Sequence, residues 1–95
     1  MRQQVSVRYK DSKSGETWIV VHQARATYDI KKKSLKRVSE SGWTRLGSIT
    51  RYCEPRGDGL RWRDLGRNES KETFPSLKKC LLAFIEELKS RRNNN

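Results

Sequence analysis

The strongest constraint on this chain lies near its C-terminus. Leu77, Cys80, Leu81, Phe84, Ile85 and Leu88 recur at the three- and four-residue spacing of one helix face. Ser76, directly after Phe74-Pro75, is a good N-cap for that helix. A helix with one apolar stripe needs a surface to bury it against, so the rest of the chain must supply that surface.

Upstream, the apolar residues change period. Val5, Val7 and Tyr9 alternate with Ser6, Arg8 and Lys10, which predicts a half-buried strand from about Gln4 to Lys10. Residues 11–15 are a turn cluster, and a second strand follows from Glu16 to about His22. Its run Trp18-Ile19-Val20-Val21 predicts burial on both faces. A third strand is expected from Trp43 to Tyr52, with Gly47 marking a bulge or a close approach. Glu54 to Gly59 is a turn, and Leu60 to Leu65 a fourth strand. Residues 24–41 stay open. Ala24, Ala26, Tyr28 and Ile30 continue the alternation, whereas Ile30, Leu35 and Val38 fit a short helix capped by Asp29, and a mobile basic loop fits as well.

The expected fold is therefore α+β: an antiparallel sheet of three to four strands in two hairpins, with one C-terminal helix packed on one face. Residues 1–90 are expected to form a single small basic domain and 91–95 a polar tail. A chain of 95 residues buries only roughly 60–65% of its unfolded surface. With 33% hydrophobic residues it can build one modest core and no deep catalytic cavity. No secretory leader or long apolar run is seen, and Cys53 and Cys80 lack the spacing of a metal site or a disulfide framework. Both thiols are accordingly expected reduced, in a cytoplasmic, intracellular protein.

Catalytic constellations do not emerge. His22, the only histidine, sits in an apolar strand and is expected to pack there, away from either cysteine. Glu86-Glu87 reads as solvent-facing charge on the helix. The chain is expected to be no enzyme and to hold no metal or cofactor.

Charge points elsewhere. Lys and Arg total 22 against 11 Asp and Glu, a net charge of +11. Residues 1–52 hold 12 basic and 4 acidic residues, whereas residues 53–75 are balanced at 5 and 5. Such a balance on a short chain is the footprint of a polyanion binder. Three groups carry it. Lys31, Lys32, Lys33, Lys36 and Arg37 crowd like charges that phosphates would relieve. Arg45, Arg51, Arg61 and Arg63 are interleaved with Trp43, Tyr52 and Trp62 on the second hairpin. There the strand period puts Arg61 and Arg63 on one face and Trp62 on the other. Lys78 and Lys79 lie in the first helical turn, where the helix dipole disfavours cations.

The layout from about Trp43 to Leu88, strands followed by one packing helix, resembles small sheet-based DNA-binding domains of the integrase N-terminal and plant AP2 types. That resemblance implies a three-stranded sheet laid into the major groove of duplex DNA and assigns no residue roles. A strand-then-helix order is also similar to that of single-strand-binding transcription cofactors.

The expected function is nucleic-acid binding by an accessory or regulatory protein, with double-stranded DNA ahead of RNA. The second hairpin would present its arginines to a groove, and Lys31 to Arg37 would clamp the flanking phosphates. The chain could be phage- or plasmid-encoded. The alternative is a protein-binding module, an inhibitor or adaptor docking on an acidic protein surface, or a homodimer through a strand edge. No membrane partner is expected, because the helix needs its apolar face for the core.

Overall fold

Five antiparallel strands form one sheet in the computed structural model, in the order β1-β2-β3-β4-β5. The structure describes residues 4–33, 42–52 and 59–93. The strands are β1 (Val5–Lys10), β2 (Thr17–Ala24), β3 (Thr27–Lys33), β4 (Trp43–Tyr52) and β5 (Gly59–Asp64), and the helix is α1 (Leu77–Asn93). The α+β class and the single C-terminal helix are as expected. The sheet is a continuous meander, not two hairpins of three to four strands.

The extra strand is β3, and it corrects the reading of residues 24–33. Asp29 caps no helix. It lies in the middle of β3, and its carboxylate accepts a hydrogen bond from Arg45 Nε at 3.1 Å. The turn from β2 to β3 is Arg25-Ala26, closed by the pair Ala24–Thr27. Arg25 takes a positive φ of 46° there, a conformation usually left to Gly or Asn. Residues 34–41, which include Lys36 and Arg37, lie outside the described residues.

Strand alternation sorts the sheet into two faces. Val7, Tyr9, Trp18, Val20, Tyr28, Ile30, Ile49, Leu60 and Trp62 face α1, whose Cys80, Leu81, Phe84 and Ile85 complete the core. Phe84 sits edge-on between Trp18 and Trp62, at 6.4 and 5.5 Å between ring centroids. Edge-to-face packing is the favoured arrangement of such rings. Trp18 to Val21 are buried throughout, as their unbroken apolar run predicts. Ile19 and Val21 do so on the face away from α1, outside the helix-side core.

Gly47 shows why its position demands glycine. A Cβ there would lie 2.6 Å from the Arg63 carbonyl oxygen and 2.9 Å from Phe84 Cζ. The register also slips here: Ile30 faces Gly47 while Lys31 faces Arg45, leaving Leu46 as the extra residue of a bulge.

Ser76 caps α1 as expected, its hydroxyl accepting from the Lys79 amide at 3.2 Å. The far end of the helix is tied to the sheet by ions. Lys89 reaches Asp11 at 3.1 Å and Arg91 reaches Asp64 at 2.6 Å. Cations at a helix C-terminus also suit its dipole. The segment 91–95, expected to be a tail, thus begins within the helix.

One edge of the sheet is covered. Residues 68–74 return along β5, with Leu60 and Phe74 exchanging amide–carbonyl bonds of 3.0 and 2.8 Å. The Ser70 amide donates to the Trp62 carbonyl at 3.0 Å. The β1 edge carries exposed Arg8 and Lys10, charges of the kind that discourage unwanted strand pairing.

Candidate nucleic-acid interface

The face of the sheet opposite α1 collects most of the candidate cations. The pairings Lys31–Arg45 and Lys33–Trp43, together with the parity of Ser48–Arg63 and Thr50–Arg61, put Lys31, Lys33, Arg45, Arg61 and Arg63 on this outer face. Arg8 pairs with Ile19 on the same side, so Arg8 and Lys10 extend the cationic face across β1. These two were not among the sequence candidates. Their alternation with Val7 and Tyr9 was the signal that could have included them. Five strands at the usual spacing of ~4.8 Å make the face about 19 Å across.

Two candidates fall elsewhere. Lys32 faces the helix side, where it pairs with Glu16 at 2.8 Å and lies 5.5 Å from the Trp18 ring centroid. Its charge is used inside the fold, and its alternation with Lys31 and Lys33 in a strand explains why. Arg51 shares the parity of Ile49 and also leaves the outer face, though it stays exposed. A lysine run read as one patch is thus divided by the strand period. Trp62 is core, as is Trp18. Trp43 is half-buried on the outer face, with Lys33 Nζ 5.7 Å from its ring centroid.

At the β4–β5 side, four of the described residues bound a cleft: Tyr52, Arg61, Arg63 and Glu69. The Tyr52 hydroxyl donates to Glu69 Oε2 at 2.6 Å, and Arg63 approaches the same oxygen at 3.6 Å. The Arg61 guanidinium lies 5.6 Å from the Tyr52 ring centroid, within cation–π range. The hydrogen bond to Glu69, then burial and the carboxylate's charge, hold the Tyr52 phenol above its ordinary value of 10.0, against the opposing charges of Arg63 and Arg61. Glu69 is placed by the backbone bridge of its own residue to Arg63. Nothing in the sequence signals that contact, because Glu69 meets Tyr52 only through the return of residues 68–74 along β5.

Comparisons with protein-family models, curated proteins and solved structures find no match. The functional reading therefore rests on the residues themselves.

Other candidate chemistry is sparse among the described residues. No group of three or more His, Cys, Asp or Glu there could hold a metal ion. His22 is exposed rather than packed in the strand: its Nε2 lies 2.8 Å from the Arg25 carbonyl, and its ring stands against Tyr28. The cause is position, since His22 lies beside the β2–β3 turn at the rim of the sheet. Cys80 is buried in the core, where desolvation pushes its thiol up to about 12, and a thiol so protonated is a poor nucleophile. Cys53 lies outside the described residues. Among the described residues no helix is long and apolar enough to cross a membrane. Lys78 and Lys79 are exposed on the first turn of α1.

Proposed function

We propose that this chain binds nucleic acid along the outer face of its sheet, with phosphates as the primary ligands and double-stranded DNA as the preferred form. The convergence of Lys31, Lys33, Arg45, Arg61 and Arg63 on one face, flanked by Arg8 and Lys10, carries the reading. A duplex segment as long as the face is wide carries roughly 11 phosphates, at one per ~1.7 Å of axis, and about half of them turn toward a flat face. The supply of anions matches the crowding of cations. The mode of contact follows from the meander. A major groove is about 12 Å wide and admits a two-stranded ribbon. Here β4 is bonded to β3, and residues 68–74 cover the edge of β5, so the β4–β5 hairpin is no free ribbon. Contact along the phosphate backbones suits a face of this breadth. The role is one of binding, accessory or regulatory, without catalysis.

Fluorescence anisotropy with labelled duplex DNA, single-stranded DNA and duplex RNA, at low and near-physiological salt, tests this. Duplex DNA should bind most tightly and persist at near-physiological salt. The pair Lys33→Ala, Arg63→Ala should weaken it on the order of tenfold through lost phosphate contacts. The pair Arg51→Ala, Lys79→Ala removes the same charge from elsewhere and should cost far less. Equal losses for the two pairs, or binding that vanishes at physiological salt for every form, would make the charge generic and turn the search to an acidic protein surface.

A further inference from the structure

Among the described residues, the cleft between Tyr52 and β5 is built from donors around a single acceptor. Tyr52 offers a hydroxyl, and Arg61 and Arg63 offer two guanidiniums from the same side of β5. The acceptor is Glu69, whose Oε2 takes the Tyr52 hydroxyl at 2.6 Å and lies 3.6 Å from Arg63. A carboxylate oxygen and a phosphate oxygen ask for the same partners, and arginine serves both with its forked donors. The Arg63 side chain is 55% exposed and that of Glu69 29%, so the pair is open to exchange with an anion from solvent. An exposed pair of this kind contributes little to folding.

We infer that Tyr52, Arg61 and Arg63 form a discrete phosphodiester subsite on the outer face, and that Glu69 is its internal competitor in the free protein. The inference rests on the nucleic-acid reading and sharpens it. On binding, a phosphate oxygen takes the Tyr52 hydroxyl and the Arg63 guanidinium, and the Glu69 carboxylate turns to water. When no ligand is present Glu69 keeps Arg63 oriented, while Arg61 lies against the Tyr52 ring. It also lowers the affinity for stray anions, since every ligand must displace the carboxylate first. Arg45 is similarly held by Asp29 at 3.1 Å, but the Asp29 side chain is only 11% exposed and does not offer the same exchange.

The test compares Glu69→Gln with Glu72→Gln, a neighbour on the same segment that is exposed and does not line the cleft. Each variant adds the same net charge. Labelled duplex DNA is titrated by anisotropy across a range of salt concentrations. Glu69→Gln should bind about two- to fivefold more tightly than wild type, the worth of an exposed pair no longer broken on binding. Its salt dependence should steepen by up to about 0.9 ion, because no carboxylate recaptures a cation. Glu72→Gln should show markedly less of both. Equal gains in the two variants overturn the subsite while leaving the wider face intact. No binding by wild type or either variant sinks the face and the subsite together. Inorganic phosphate and a mononucleotide serve as competitors. Displacement of the duplex by either at low millimolar concentration would assign the cleft to a free phosphate ligand and overturn the phosphodiester assignment. Because Glu69→Gln is a gain of affinity, misfolding cannot imitate the expected result.

Discussion

Single positions in this chain are constrained by what their atoms meet. Gly47 has no room for a Cβ, with a backbone oxygen at 2.6 Å and the Phe84 ring at 2.9 Å. The carbonyl cannot move without disturbing the β4–β5 ladder. Gly47→Ala should therefore destabilise the fold by about 1–3 kcal/mol, the range for overpacking. Gly66 gives the contrast. Its nearest neighbour to a Cβ is Asp64 Oδ1 at 3.5 Å, an ordinary contact. Gly66→Ala should stay within about 0.5 kcal/mol of wild type, as surface changes do. Urea denaturation of the two variants reads the difference, and equal stabilities would contradict the packing argument. The glycine was legible in the sequence as a bulge or a close approach because it interrupts a strand pattern. The alternation of Arg61, Trp62 and Arg63 was legible for the same reason. The Tyr52–Glu69 contact was not, because no local pattern records a side chain brought in by a returning segment.

At the scale of elements, α1 and the strands with regular alternation follow from their periods. The meander did not, and its cause is one turn. Arg25-Ala26 joins β2 to β3 with a non-glycine residue at positive φ, so none of the usual hairpin residues announces it. Without that turn, the lysines after Ile30 read as a helix face or a loop. Placed in β3, they split between the two sides of the sheet, and Lys32 leaves the candidate site. The docking of α1 also has an electrostatic component at its far end. Burial pushes the Asp64 carboxyl up, but hydrogen bonds from Arg91 and from the amide and side chain of Asn68 outweigh it, leaving the group below its ordinary value of 3.8. Asp11 is lowered too, chiefly by its hydrogen bond from Lys89 and then by the Lys13 amide. Carboxylates whose folded values are depressed stabilise the native state above the unfolded value and lose that contribution as pH falls through the folded one. The ties of α1 should thus weaken below about pH 4. Acid unfolding followed by circular dichroism should show Asp64→Asn less stable than wild type at neutral pH. It should also show a shallower loss of stability on acidification. An unchanged acid slope would mean that the Arg91 tie does not stabilise the helix.

For the molecule as a whole, the question is whether a net charge of +11 acts through its amount or its arrangement. The unfolded chain carries the same charge and also attracts polyanions. A ligand raises the unfolding temperature only so far as it prefers the folded state. Folding gathers Arg8, Lys10, Lys31, Lys33, Arg45, Arg61 and Arg63 onto one face, whereas the unfolded chain spaces them along its length. A duplex that reads that face should favour the native state. At about one hundred times its dissociation constant it would contribute about 2.7 kcal/mol. For a domain of this size that raises the midpoint on the order of 10 °C or more. Salt alone also relieves self-repulsion, so the comparison must separate screening from binding. Thermal unfolding at low salt, with and without duplex, should show the large shift in wild type. At the same duplex concentration the Lys33→Ala, Arg63→Ala variant, binding about tenfold more weakly, should lose about half of it while keeping the small stabilisation by salt. If duplex DNA binds wild type yet leaves the midpoint where it was, folded and unfolded chains hold it equally. The arrangement on the sheet would then add nothing to the charge.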